Sequence, residues 1–269
     1  MSDGLIDHIR PHLSAGLEVE GPLGSAGGQG AVLKGKFNGA PAAIKVFRPE
    51  TDHRRVDREI ELLSNLACPR VVKLLHAETL EIEGESLRVL AYELHTGGDL
   101  TRHLANTAPP LTPVELVKIG HEVGIAVEEL WKRKIVHRDI KPANIVEGND
   151  GGCVLVDVGL ARHVDRSNIT LGGAPGTRGF RSPEQARGRK SLTIHSDAWS
   201  LGVTLFILAA KRHPFGNQDV VNPTTVNMTP LRARGDLDPL LIDTIQQMLS
   251  FVPSRRPSNL VERFATIGG

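Results

Sequence analysis

Apolar and polar positions along this chain alternate in patterns that predict both helices and strands. From Asp52 to Leu66 the apolar residues Val56, Ile60, Leu63 and Leu66 recur at helical spacing and predict one amphipathic helix. A longer helix is predicted from Pro113 to about Arg133, with Leu116, Ile119, Val123, Val127 and Leu130 inward. Thr112 can cap it, Pro113 suits the first helical position, and Glu115 completes a capping box. The helix opening at Ser196-Asp-Ala-Trp-Ser-Leu-Gly202 is nearly all apolar, the pattern of a buried central element. Its continuation Val203–Ala210 is the longest apolar run, far short of the ~20 residues a membrane span needs. Leu74–Glu83, Leu87–Glu93 and the run Val154, Leu155, Val156 read as strands. Leu5, Ile6, Ile9 and Leu13 mark a short amphipathic lead-in, expected to pack on the first part of the fold.

Composition narrows this picture without changing it. With 269 residues the chain has room for one large domain or for two lobes. Its 40% hydrophobic and 23% charged residues are ordinary for a soluble protein. A formal net charge of +1 gives no global field toward nucleic acid or membrane. Cys68 and Cys153 offer no disulfide framework, fit a reducing compartment and read as small core residues. Met1–Leu13 lacks the apolar core of a signal peptide, so a soluble cytoplasmic unit without appended domain is expected.

The chemistry concentrates in His137-Arg-Asp-Ile-Lys-Pro-Ala-Asn-Ile-Val146. Asp139, Lys141 and Asn144 sit at spacings that suit a polyphosphate and its metal beside a hydroxyl nucleophile. A carboxylate orients and deprotonates the hydroxyl, a lysine neutralises the migrating phosphoryl group, and an amide oxygen binds Mg²⁺. Asp157-Val-Gly159 follows an apolar run and adds a second oxygen ligand. Two such ligands suit Mg²⁺, which takes phosphate and water for the rest of its shell. Upstream, Pro22-Leu-Gly-Ser-Ala-Gly-Gly-Gln-Gly-Ala-Val32 is a glycine-rich hairpin able to approach phosphates closely, and Ala42-Ala-Ile-Lys45 follows it.

Together these stretches resemble the signature set of eukaryotic-type (Hanks-type) serine/threonine protein kinases, over roughly residues 18 to 265. The resemblance implies a bilobal α+β fold: a small antiparallel sheet with one regulatory helix, joined by a hinge to a mainly helical lobe. The whole of 1–269 then reads as one catalytic domain, with lobes at about 16–92 and 99–265 and a hinge at 93–98. It also implies ATP- and Mg²⁺-dependent transfer of the γ-phosphoryl group to Ser or Thr of protein substrates, with autophosphorylation at Ser167 or Thr170. No nucleic-acid or membrane partner is implied.

By the same resemblance Lys45 positions the phosphates and Glu59 holds Lys45, while Glu61 faces solvent. Ser25, Gly27, Gly28 and Gly30 form the phosphate loop, with Ser25 standing where the family has glycine or Ala26 as an insertion. Val32 and Ala43 roof the adenine, Glu93 and His95 belong to the hinge that binds its edge, Tyr92 closes the pocket behind it, and Asp99 lies near the ribose. Val146 completes the nucleotide-contacting set. Asn144 and Asp157 are the metal ligands, and Asp139, Lys141 and Thr177 complete the catalytic set. Val158 stands where most of the family has phenylalanine. Asp197 is expected to cap catalytic-loop amides and Arg256 to pair with Glu184. Gly176-Thr-Arg-Gly-Phe-Arg-Ser-Pro-Glu184 resembles the close of an activation segment. That stretch argues against a small-molecule phosphotransferase, and retention of Lys45, Asp139, Asn144 and Asp157 argues against a pseudokinase or scaffold.

Overall fold

Two tight turns set the first part of the structure. At Asn38-Gly39 and Glu83-Gly84 every residue takes positive φ, 50° and 79°, then 54° and 84°. Two-residue hairpin loops of the type I′ form require this, and glycine meets it at no steric cost. The computed structural model describes residues 2–23, 30–105, 107–163 and 176–268. Its chain divides into two compact units, residues 1–67 with 72–95, and 68–71 with 96–269.

The first unit contains α1 (Ser2–Ile9), β1 (Leu17–Pro22), β2 (Gly30–Phe37), β3 (Ala40–Phe47), α2 (His53–Ser64), β4 (Leu74–Ile82) and β5 (Glu85–Glu93). The strands form a five-stranded antiparallel sheet in the order β1-β2-β3-β5-β4. Alternation along β3 sends Ala42, Ile44 and Val46 to one face and Ala43 and Lys45 to the other. The first of these faces joins Leu33, Leu80, Ile82 and Val89 in a core that also takes in Ile6 and Ile9 of α1. The lead-in therefore packs on the sheet as its apolar spacing predicts. Ile9 is fully buried, so Ile9→Ala is expected to cost about 3 kcal/mol, a loss measurable as a lower midpoint in chemical unfolding.

The structure shifts some predicted boundaries. β5 begins at Glu85, two residues earlier than the apolar run suggests, because the Glu83-Gly84 turn pairs Ile82 with Glu85 at once. α2 spans His53–Ser64, with Asp52 accepting a hydrogen bond from the Arg54 amide at 3.1 Å as its cap. Its buried face is Val56, Glu59, Leu62 and Leu63, while Ile60 and Leu66 are only half-buried. That face includes Glu59, whose carboxylate meets a buried tyrosine hydroxyl.

The second unit holds α3 (Pro113–Lys132), β6 (Ile135–Val136), β7 (Ile145–Glu147), β8 (Cys153–Leu155), β9 (Arg162–His163), α4 (Pro183–Ala186), α5 (Ile194–Ala210), α6 (Thr229–Arg232), α7 (Pro239–Met248) and α8 (Leu260–Gly268). Both halves of the Thr112/Glu115 capping box are formed. α5 is buried nearly all round, with Trp199 and Phe206 among the largest enclosed side chains. Gly120 of α3 admits the Phe264 ring of α8, since a Cβ there would lie 2.3 Å from that ring. Burial, then the Glu122 carboxylate, push the Cys153 thiol up to about 12, so this cysteine is an inert core residue. Among the described residues no helix is long and apolar enough to cross a membrane.

Candidate active site

In the first unit, strand register gathers one set of residues on one sheet face. Val32 lies directly opposite Lys45, Lys45 opposite Leu90, and Ala43 opposite Tyr92. Directly paired residues share a face, so Val32, Ala43, Lys45 and Tyr92 stand together, away from the face that α1 covers. The Lys45 ammonium lies over the Phe47 ring, 4.8 Å from its centroid. Glu59 reaches this neighbourhood from α2. It is 3% exposed, and its Oε1 accepts a hydrogen bond from the Tyr92 hydroxyl at 2.6 Å. Spacing alone could not have revealed that contact, because Tyr92 and Glu59 come from separate elements. Glu61, on the other side of α2, is exposed. Gly30 opens β2, whereas Ser25, Gly27 and Gly28 lie outside the described residues. Glu93 and His95 are half-buried at the end of this unit.

The second unit builds its site from a loop and two short strands. Asp139 is 5% exposed and its carboxylate is held from both sides. Oδ1 accepts from the Thr177 amide at 2.7 Å, and Oδ2 from Lys141 Nζ at 2.9 Å and Asn144 Nδ2 at 3.0 Å. Lys141 Nζ also donates to Thr177 Oγ1 at 2.6 Å, closing a ring of contacts. Burial pushes the Asp139 carboxyl up, but the Lys141 and Thr177 hydrogen bonds outweigh it, and the pKa ends below the ordinary carboxylate range.

Asn144 has its amide orientation set by the Asp139 backbone carbonyl, which accepts from Nδ2 at 2.8 Å. A carbonyl can only accept, so Oδ1 is the oxygen Asn144 offers elsewhere. β7 pairs with β8, and the Val156 amide donates to the Asn144 carbonyl at 2.9 Å. Asn144 and Asp157 thus flank one end of the same ribbon. Asp157 itself adopts φ 58°, ψ 62°, a left-handed conformation that Asp tolerates better than most residues. Two hard oxygen donors fit Mg²⁺, a cation that relies on substrate oxygens and water for most of its shell. Among the described residues no cluster of three or more His, Cys, Asp or Glu forms an all-protein metal cage. Val146 is half-buried and bridges Asp99. Asp99 uses Oδ1 to accept from the Thr101 amide at 2.8 Å.

A rigid frame surrounds these groups. Arg138 takes φ 74°, and the amides of His137 and Arg138 donate to the two oxygens of Asp197 at 2.8 and 2.9 Å. Asp197 is 1% exposed, and burial pushes its carboxyl up against those donors and the nearby His137 and Arg138 charges. Gln185, which sequence reasoning did not single out, donates from Nε2 to the Arg138 carbonyl at 2.7 Å. Gly176 passes so close that a Cβ would sit 2.4 Å from the Arg138 carbonyl oxygen. Only glycine, here at φ 93°, permits that approach. Farther out, Arg256 forks onto both Glu184 oxygens at 2.7 and 3.1 Å, and Ser196 donates to the same carboxylate at 2.7 Å. Ser167 and Thr170 lie outside the described residues, and Val158 is 1% exposed.

A protein-family model described as "protein kinase domain" matches residues 17–265. Serine/threonine-protein kinase PkaA of Streptomyces coelicolor is 32% identical over 231 residues, 82% of this chain and 41% of the relative. Serine/threonine-protein kinase AfsK of Streptomyces griseus is 30% identical over 258 residues, 92% of this chain and 31% of the relative. A probable serine/threonine-protein kinase of Dictyostelium discoideum, kinX, is 30% identical over 255 residues, 90% of this chain and 22% of that protein. The chain spans less than half the length of each of these curated relatives.

Proposed function

We propose, from the premise that this chain belongs to the serine/threonine protein kinase family, that it transfers the γ-phosphoryl group of ATP to Ser or Thr hydroxyls of proteins. The observation that carries this reading is the ring of contacts joining Asp139, Lys141, Asn144 and Thr177. Oδ1 of Asp139 accepts from the Thr177 amide and keeps a lone pair for an acceptor hydroxyl. A carboxylate held below its ordinary range is a weak base. That suits a loose transition state, in which the hydroxyl proton leaves late and orientation counts for more than basicity. Lys141 is placed to offset charge on the migrating group, and Thr177 ties the activation segment to the loop that carries Asp139.

Mg²⁺, when bound with ATP, neutralises phosphate oxygens, and Asn144 Oδ1 and the Asp157 carboxylate would hold it. In the first unit Lys45 serves the phosphates, and Glu59 with Tyr92 sets the position of that machinery. Val32, Ala43 and the hinge residues Glu93 and His95 serve the adenine, Asp99 and Val146 contribute from the second unit, and residues 1–269 act as one catalytic domain with its hinge near 93–98. Autophosphorylation at Ser167 or Thr170 belongs to the same proposal.

Tyr92→Phe removes one hydroxyl and keeps the ring. It is expected to raise KM for ATP roughly threefold to tenfold while altering kcat little, because a charge-assisted hydrogen bond to Glu59 is lost. Steady-state kinetics at saturating acceptor would check this. The reading as a whole is tested with purified protein, labelled ATP, Mg²⁺ and a mixed protein acceptor, followed by acid hydrolysis. Phosphoserine or phosphothreonine is expected. Label found only on small molecules, or no transfer at all, would overturn it.

A further inference from the structure

Beyond Thr177 the chain reads Arg178-Gly-Phe-Arg-Ser-Pro-Glu-Gln-Ala-Arg-Gly-Arg-Lys190, densely cationic in a protein whose formal net charge is +1. Two of its charges are already satisfied. Glu184 is taken by Arg256, and Arg181 pairs with Asp219 at 3.1 Å while its Nε donates to the Gly176 carbonyl at 2.8 Å. Arg178, Arg187, Arg189 and Lys190 remain. All are exposed, and none has a carboxylate partner among the described residues.

Arg178, Arg181 and Arg187 belong to one surface, because the 218–221 segment anchors them in turn, and Arg189 and Lys190 follow Arg187 closely in the chain. Arg178 donates to the Gln218 side chain, Arg181 holds Asp219, and Arg187 donates to the Val221 carbonyl. The Gly179 amide also donates to Asp219 at 2.9 Å. Arg187 lies over the Phe251 ring, 4.8 Å from its centroid, so its guanidinium is held in place before any ligand arrives. A pre-placed guanidinium loses less freedom on binding a carboxylate than a free lysine does. At the other end of the surface is Thr177, whose amide touches the Asp139 carboxylate.

We propose that this rim makes the protein select acceptor hydroxyls flanked by acidic residues. The inference rests on the transfer reading above and deepens it. Because Thr177, which touches Asp139, directly precedes Arg178, a peptide whose hydroxyl meets Asp139 would bring its neighbouring residues toward Arg178 and the cations beyond it. A basic flank would meet uncompensated like charge, and a neutral flank would leave the rim solvated. Exposed pairs are individually weak, so two or three acting together amount to roughly a tenfold preference, which salt should erode.

The test measures kcat/KM on serine peptides with Asp/Glu, Ala or Arg flanks, using the full chain at low and at high NaCl. The acidic-to-neutral ratio is expected near ten at low salt, falling several-fold at high salt. It should approach one when Arg178, Arg187, Arg189 and Lys190 are all changed to Gln. A wild-type ratio near one, a preference for Arg flanks, or a ratio unmoved in the Gln variant overturns the inference and leaves the transfer reading standing. Failure to label any peptide or protein acceptor sinks the transfer reading instead. In that event, fluorescence anisotropy of a labelled acidic peptide still decides the surface. Binding that the Gln variant loses supports it, and no binding overturns it.

Discussion

Asp139→Asn is expected to reduce phosphoryl transfer by about 10³-fold, within the range for loss of a positioned general base. Nucleotide affinity should change little. The amide cannot reproduce the carboxylate's contacts: one of its two polar atoms becomes a donor. It would face either the Thr177 amide or the Lys141 ammonium, both of which now donate to this side chain. The ring of contacts therefore opens on one side. Asp157→Ala should behave differently, weakening Mg-ATP binding itself, as expected of a residue proposed to hold the metal and not to act on the acceptor hydroxyl. Single-turnover transfer together with calorimetric nucleotide titration separates the two outcomes. Near-normal turnover in Asp139→Asn would show that the carboxylate has been assigned the wrong role.

Arg256→Met should lower thermal stability at least as much as Ile9→Ala does in the first unit. Arg256 is 2% exposed and Glu184 6%, and Met would leave the Glu184 carboxylate buried without its guanidinium partner, with the Ser196 hydroxyl still donating to it. Removing one partner of a buried pair costs about 3–5 kcal/mol, much of it the penalty of the charge left behind. For a protein of this size that corresponds to a fall in Tm on the order of 10 °C. The pair also carries a pH signature. Burial pushes the Glu184 carboxyl up, but Arg256 outweighs it and holds the pKa below the ordinary range. Its stabilisation is thus fully present above the unfolded carboxyl's pKa, about 4.3, and is lost as pH falls through the lower folded value. Wild-type protein should lose stability along that acid window, whereas Arg256→Met should show a shallower slope there. Equal slopes would mean that Glu184 does not titrate as part of this pair.

Local physics decided much of what was legible beforehand. The capping box at Thr112 and Glu115 and the apolar stripe of α3 depend only on residues a turn apart, so spacing specifies them. The same holds for the amphipathic lead-in that became α1, and for the nearly all-apolar α5, whose composition leaves little polar face for solvent. Asp139, Lys141 and Asn144 are near neighbours in the chain, and a short loop had few ways to keep them apart. Where the reading slipped, the competing effect was not local. Ile60 lost its expected inward place on α2 because the helix turns Glu59, a charged residue, into the interior.

The contacts that make a site of these residues come from residues far apart in the chain. Tyr92 meets Glu59 across 33 positions, Thr177 meets Asp139 across 38, and Arg256 meets Glu184 across 72. Periodicity reports which face of an element is buried and nothing about the polar atom waiting there. A buried carboxylate needs donors, and the folded chain supplies them from whichever segment the packing brings near. Asn38-Gly39 carried its turn in two residues, while the anchoring of Arg178, Arg181 and Arg187 on residues 218–221 had no trace in spacing. The sequence by itself determined the elements, the family and the reactive groups. Only tertiary structure decided which donor holds which carboxylate, because long-range pairing is settled by packing and desolvation across the whole fold.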